Sequence, residues 1–295
     1  MLKKCLKYDL AAVFRILWIL LIIMLGAVLA AGVGMRVCIE SAQFLGTEPH
    51  DPSPIIMFPV ILGVFGGYFS AIGCFIAAVG CATVCTILTY WRVYSNFFTD
   101  EGYLTFTLPV KRSTLYLSKV ITCTVVELAS LAVILIGGVC ALLIAIPFDA
   151  YPYIPQAFRE MGTAFTEMWG SVSIWPLVWL LLMPLLMVAN LLASNGLVLL
   201  CLTLGSAIFK KGKLIASIGI YWLVNRLSGV LAEIVVFPLI FGMSGLMMVM
   251  ESAGGFVTGL TVTVAILIGV AMTACGAALL HFINLTILER KLNLA

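Results

Sequence analysis

Six apolar runs, each as long as a membrane crossing, constrain this 295-residue chain more than any other feature. They lie at about 16–35, 58–90, 120–147, 175–209, 214–243 and 256–288. An apolar helix needs roughly 20 residues to cross a hydrocarbon core about 30 Å thick. With no water to satisfy its polar groups, a backbone in that core closes its hydrogen bonds internally, so each run predicts a helix. Only 10% of the residues are charged, against about 25% in ordinary globular domains. That leaves no room for a soluble catalytic domain. The predicted fold is an all-α integral membrane protein with six transmembrane helices, forming one domain over 1–295. The first run also offers a signal-peptide reading, with small residues near Ala27 to Ala30. Its length and the five runs behind it favour a span.

Orientation follows from the basic residues, which gather at cytoplasmic span ends. Lys3, Lys4, Lys7, Arg15, Arg92, Lys111, Arg112, Lys119, Lys210, Lys211, Lys213, Arg290 and Lys291 share the side of the N-terminus, thirteen of the sixteen. Both termini are therefore expected to be cytoplasmic. The net charge of +3 reflects this topology and points to no nucleic-acid partner.

Before the first run, Leu2, Leu6, Leu10, Val13, Phe14 and Leu17 recur at helical spacing, with Lys3, Lys4 and Lys7 between them. This pattern predicts an interfacial helix over 1–15, apolar side in the lipid and cations on anionic headgroups. Seven of the nine cysteines fall within spans, Cys5 is cytoplasmic and Cys38 lies on the opposite side. No CxxC pair or neighbouring His suggests zinc, so they read as small packing residues.

Residues 91–118 form the longest cytoplasmic connection between spans. Thr99 followed by Asp100 and Glu101 has the chemistry of a helix start. Apolar and aromatic side chains then crowd a segment expected to face water. Pro109 stops any helix, and Ser113 or Thr114 can cap the next span. An exposed apolar knob bounded by charge suits a docking surface.

The run Asp100-Glu101-Gly102-Tyr103-Leu104-Thr105-Phe106-Thr107-Leu108-Pro109-Val110, with Arg112 and the following Leu117-Ser118-Lys119, resembles a segment of ABC-2 type transporter permease subunits, especially those of Gram-positive anaerobes. Leu6-Lys7-Tyr8-Asp9 is similar to their opening segment, whereas Lys111 departs from their usual small hydroxyl residue. The resemblance implies a membrane-spanning permease of a bacterial plasma membrane, paired with a second permease chain. It also implies a separate ATP-binding subunit that holds ATP and magnesium, docked on Thr99, Asp100, Glu101, Gly102, Tyr103, Leu104, Phe106, Leu108, Pro109 and Arg112. The chain itself lacks a phosphate-binding loop: Gly205 with Gly212-Lys213-Leu214 has the wrong spacing and ending, and reads as a basic turn. Enzymatic activity is therefore not expected of it.

Charges inside spans mark function or pairing. Glu127 lies about 12 Å along its helix from Lys119, and Arg226 about 20 Å beyond Lys213, at about 1.5 Å per residue. Arg226 is expected to pair with Glu127 or with Glu233, two turns further on, supported by Asn190 and Asn225. The outer segment 148–174 reads as a short surface helix over 156–170, with aromatic anchors. Gly63 with Gly67, and Gly255 with Gly259, offer small surfaces for close helix contact.

Two rivals remain. Gly242-Met243-Ser244-Gly245 with His281 matches the nucleophile motif of rhomboid-type intramembrane proteases, but the expected topology puts Ser244 and His281 near opposite membrane faces. A self-sufficient secondary transporter or channel would need gradient-coupling carboxylates or helices broken in matched repeats. Pro184 and Pro238 are the candidates for such breaks.

Overall fold

The structure, a computed structural model, describes residues 2–47, 54–99, 110–172, 175–209, 212–227 and 255–290, with positions 102, 107, 229, 230 and 234 between them. Those residues are almost entirely helical. They form α1 (Leu2–Thr47), α2 (Pro54–Phe98), α3 (Arg112–Ala145), a 3-10 turn (Phe148–Tyr153), α4 (Ile154–Val172), α5 (Trp175–Ile208), a helical stretch over 213–227, and α6 (Gly255–Arg290). Five segments are long and apolar enough to cross a membrane: Leu2–Phe44, Met57–Phe98, Arg112–Ala145, Leu177–Ile208 and Leu260–Leu288. The chain is a multi-pass α-helical membrane protein. The later part of the fifth apolar run, including Glu233 and Pro238, and Ser244 just beyond it lie outside the described residues.

The expected interfacial helix and the first span are one continuous helix. Nothing between Leu2 and Thr47 breaks it: there is no proline, and Ala11 and Ala12 are strong helix formers. At 46 residues α1 is about 69 Å long, well beyond the hydrocarbon thickness. Its N-terminal apolar stripe also meets protein. Val13 and Leu17 are buried in a cluster with Cys85 and Val126, while Lys3, Lys4 and Lys7 stay exposed.

Residues 7–93 and 125–160 form one compact unit. Within it α1 and α2 run antiparallel. Met24 packs with Ala78, Gly34 lies opposite Gly67, and Ser41 lies opposite Gly63. α3 runs parallel to α1, so that Gly137 meets Leu25 and Val28 while Gly32 meets Ala141. Glycine permits the closest of these approaches. A Cβ added at Gly67 would lie 2.6 Å from the Gly34 carbonyl oxygen and 2.7 Å from the Cys38 nitrogen. Gly63 and Gly67 thus serve close packing inside the chain. Gly255 and Gly259 lie in the first two turns of α6.

At the far end of this unit, the Arg36 Nε donates to Glu40 Oε1 at 2.7 Å. The Arg36 guanidinium also sits 3.7 Å from the centre of the Phe148 ring, a cation–π contact that ties the 3-10 turn to α1. The Tyr151 hydroxyl donates to the Leu143 carbonyl at 3.0 Å, folding the turn back on α3. The helix expected over 156–170 is present as α4.

Residues 1–6, 94–124 and 161–295 form the second unit. Here α5 and α6 pack along one another. α5 continues through Pro184, so that residue does not interrupt the span. The turn after α5 depends on two glycines. Gly212 adopts φ +71°, a left-handed conformation open mainly to glycine. Gly205 lets the stretch 213–227 approach closely, since an added Cβ would meet the Ser217 hydroxyl and lie 2.8 Å from its backbone nitrogen.

Candidate functional site

The connection from α2 to α3 is shorter and more firmly rooted than the sequence suggested. α2 runs to Phe98 and α3 starts at Arg112, so the connection read as 91–118 narrows to 99–111, within which Gly102 and Thr107 are helical. Thr99 sits between the end of α2 and the helical Gly102. Its hydroxyl donates to the Ser95 carbonyl at 2.5 Å, and its own carbonyl accepts the Gly102 amide at 2.8 Å. Lys111 occupies the start of α3, its carbonyl accepting from Thr114 and Leu115 at 2.9 and 3.2 Å. Ser113 and Thr114 therefore sit inside the first turn and are not the cap. Asp100, Glu101, Tyr103, Leu104, Thr105, Phe106, Leu108 and Pro109 are outside the described residues.

Phe97 and Phe98, which end α2, are buried, with 1% and 6% of their surface accessible. Their rings meet edge to face. Buried Lys119 places its ammonium 5.8 Å from the Phe97 ring centre, within reach of the ring's negative face. Gly102 is buried on the same structure: a Cβ there would stand 2.6 Å from the Phe97 carbonyl oxygen. The apolar end of α2 was free to choose protein over water, and it did.

Beneath this connection lies a buried polar cluster that joins the first turns of α3 to α5 and α6. Asn284, on α6, is fully buried. Its amide nitrogen donates to the Tyr116 hydroxyl at 2.8 Å and to the Gly196 carbonyl at 3.1 Å. Its amide oxygen accepts from the Thr203 hydroxyl at 2.9 Å. Both amide hydrogens and the oxygen are thus engaged, as burial in an apolar bundle requires. The oxygen/nitrogen assignment follows from this network. Tyr116 also carries the His281 ring, at 5.1 Å between centres. Next to Gly196 on α5, buried Asn195 donates to the Thr124 hydroxyl at 3.2 Å. Along α3 the hydroxyls of Ser118, Thr122 and Thr124 return to backbone carbonyls of their own helix, which removes their desolvation cost.

Arg112 closes the cluster toward the connection, donating through Nη1 to the Leu288 carbonyl at 2.7 Å. That carbonyl is in the last turn of α6, where carbonyls lack intrahelical partners and the helix dipole favours a cation. Arg112→Met is expected to cost about 1–2 kcal/mol, and Arg112→Lys less. Thermal unfolding of the purified chain would check this; equal loss in both variants would show that the charge at that carbonyl is irrelevant.

The charged residues singled out from sequence have different surroundings. Half-buried Glu127 accepts from the Tyr90 hydroxyl at 3.3 Å. Arg226 is on an exposed face of 213–227, its guanidinium 5.7 Å from the Trp222 ring centre. Asn190 and Asn225 are exposed, and Glu233 is outside the described residues. The one salt bridge among the described residues is Arg36–Glu40. Sequence reading favoured the charges and passed over Asn195, Asn284 and Tyr116. The available signal was a neutral amide inside an apolar run, with His281 and Leu288 at helical spacing around Asn284.

The cluster contains an amide, a phenol and hydroxyls that bond one another, a chemistry suited to holding helices in register rather than to bond making. Comparison with known protein families, with curated proteins and with solved structures yields no match.

Proposed function

We propose that this chain is the membrane-spanning permease subunit of an ATP-driven transporter of the ABC-2 type, working as an exporter in a bacterial plasma membrane. In this reading it pairs with a second permease chain, identical or related, to complete the passage. ATP and magnesium bind a separate ATP-binding subunit docked on the α2–α3 connection. The observation that carries the reading is the rooting of that connection. Gly102 rests on the end of α2, Arg112 reaches the last turn of α6, and four residues later Tyr116 enters the Asn284 cluster. A displacement applied at residues 99–112 would act directly on α3, α5 and α6. Packed and hydrogen-bonded elements of that kind carry coupling between sites.

The test is co-purification with an ATP-binding cassette subunit, sought first among the genes adjacent to the one encoding this chain. Replacing Asp100 and Glu101 together by Lys is expected to reduce recovery of that subunit more than about tenfold, the scale of a lost charged docking contact. The permease itself should still assemble. Unchanged recovery would remove the docking surface from the proposal.

One observation favours a gradient-driven secondary transporter or channel: Glu127 is a half-buried carboxylate in a span, hydrogen-bonded to Tyr90. Such groups relay protons and ions in transporters. Solute movement by the purified chain alone in vesicles, without nucleotide, would decide for that alternative.

A further inference from the structure

α4 is amphipathic to a degree no span here approaches. Ile154, Phe158 and Met161 share one face at 3.6-residue spacing, and the sequence continues it at Phe165, Met168 and Val172. Gln156, Arg159, Glu160 and Thr163 occupy the opposite face, where the Gln156 side chain donates to Glu160 at 2.9 Å. Yet the apolar face is not covered by this chain: Phe158 and Met161 remain 62% and 63% exposed.

What covers it follows from how the helix is tethered. α4 lies between two segments that can cross the membrane, so both its ends belong to the same membrane face. At its start, the Tyr151–Leu143 bond and the Arg36–Phe148 contact hold the preceding turn beside the end of α3. At its end, Val172 is followed by α5 at Trp175, a reach of at most about 10 Å. A rod about 28 Å long with both ends held at one interface lies along it.

We propose that α4 is a membrane-surface helix that seats Phe158 and Met161 in the leaflet where α3 emerges, held there by apolar burial and not by attraction to anionic lipid. The charges set the second half of that statement. Residues 148–172 carry Asp149, Glu160 and Glu167 against the single cation Arg159, so a negative lipid surface repels the segment weakly. Basic surface helices behave in the opposite way. The inference is independent of the transport reading, since it concerns only where this helix rests.

The experiment uses the full chain in phosphatidylcholine vesicles, with an environment-sensitive fluorescent amino acid encoded at position 156, 158, 159 or 161. A helix of this kind buries its apolar face about 5–10 Å into the headgroup and acyl boundary. Labels at 158 and 161 are expected to shift to the blue, and a shallow lipid-borne nitroxide should quench them about twofold or more. Labels at 156 and 159 should respond to aqueous iodide instead. Replacing a third of the lipid with phosphatidylglycerol should leave both patterns unchanged. Iodide quenching at all four positions would show α4 standing in water and overturn the proposal. So would labels at 158 and 161 that neither quencher reaches, because a second copy or another protein would then cover the face. Strengthened lipid quenching with the anionic lipid would overturn the claim that burial alone holds the helix.

Discussion

Asn284→Leu is expected to lower the unfolding free energy by about 2–4 kcal/mol, among the largest losses available to a single polar side chain in this protein. Leucine shares the branched skeleton of asparagine, although it is larger, and suits an apolar span, so hydrophobicity alone would predict a neutral or stabilising change. The cluster reverses that expectation. The substitution leaves the Tyr116 hydroxyl, the Gly196 carbonyl and the Thr203 hydroxyl each short of a partner, in a site with no access to water. Hydrogen bonds inside membrane proteins contribute about 0.6–1.7 kcal/mol each, and three are lost together. Thr203 keeps its second bond, to the Leu200 carbonyl at 2.8 Å, which limits its share. The measurement is thermal unfolding in a defined detergent, where a fall of about 5–10 °C is expected for a chain of this size. Tyr116→Phe supplies the control. In that background Asn284→Leu orphans one group fewer, so the pair should be less damaging than the sum of the singles. Strict additivity, or an Asn284→Leu protein as stable as the parent, would show that the amide contributes nothing to the bundle.

How much of this was legible beforehand depends on which solvent a residue was tested against. The spans were visible because hydrocarbon rejects charge and unpaired backbone alike: α5 at Trp175–Ile208 and α6 at Gly255–Arg290 fall within two residues of the runs read from sequence. The apolar run read from Val120 begins eight residues into α3, because Arg112, Ser113, Ser118 and Lys119 lower the local hydropathy, although a cap at Ser113 or Thr114 places the helix start within two residues of Arg112. Arg112, Ser118 and Lys119 find partners inside the protein, a fact that hydropathy does not encode. The same blindness affected the N-terminal stripe. Val13 and Leu17 were read as facing lipid, yet they pack on Cys85 and Val126. An apolar side chain gains little by choosing lipid over protein, so its periodicity identifies a face without naming what covers it. The cluster was missed for the complementary reason: neutral amides such as Asn195 and Asn284 are cheap enough to pass unnoticed among charges, but costly enough to need complete pairing once buried.

The antiparallel contact of α1 and α2 makes the sharpest contrast between adjacent positions. Gly67→Leu is expected to destabilise the chain by about 3 kcal/mol or more, whereas Gly66→Leu should change stability by less than about 0.5 kcal/mol. Both residues are glycines in the same turn of the same helix, so propensity predicts equal effects. Geometry separates them. A Cβ at position 67 meets the backbone of α1 on two sides, at the Gly34 carbonyl oxygen and the Cys38 nitrogen and Cα. Backbone atoms cannot rotate out of the way as a side chain can, so α1 and α2 must part along the whole crossing. That separation would also disturb Gly34, where the Ser70 hydroxyl and the Gly67 carbonyl oxygen already fill the space a Cβ would need. At position 66 nothing lies within 4 Å, and an added side chain enters open space at the surface of α2. Comparing the two variants by thermal unfolding tests the argument directly. Equal stability of the Gly66 and Gly67 variants would mean that the helices do not meet at Gly67, and the packing of α1 on α2 would have to be redrawn.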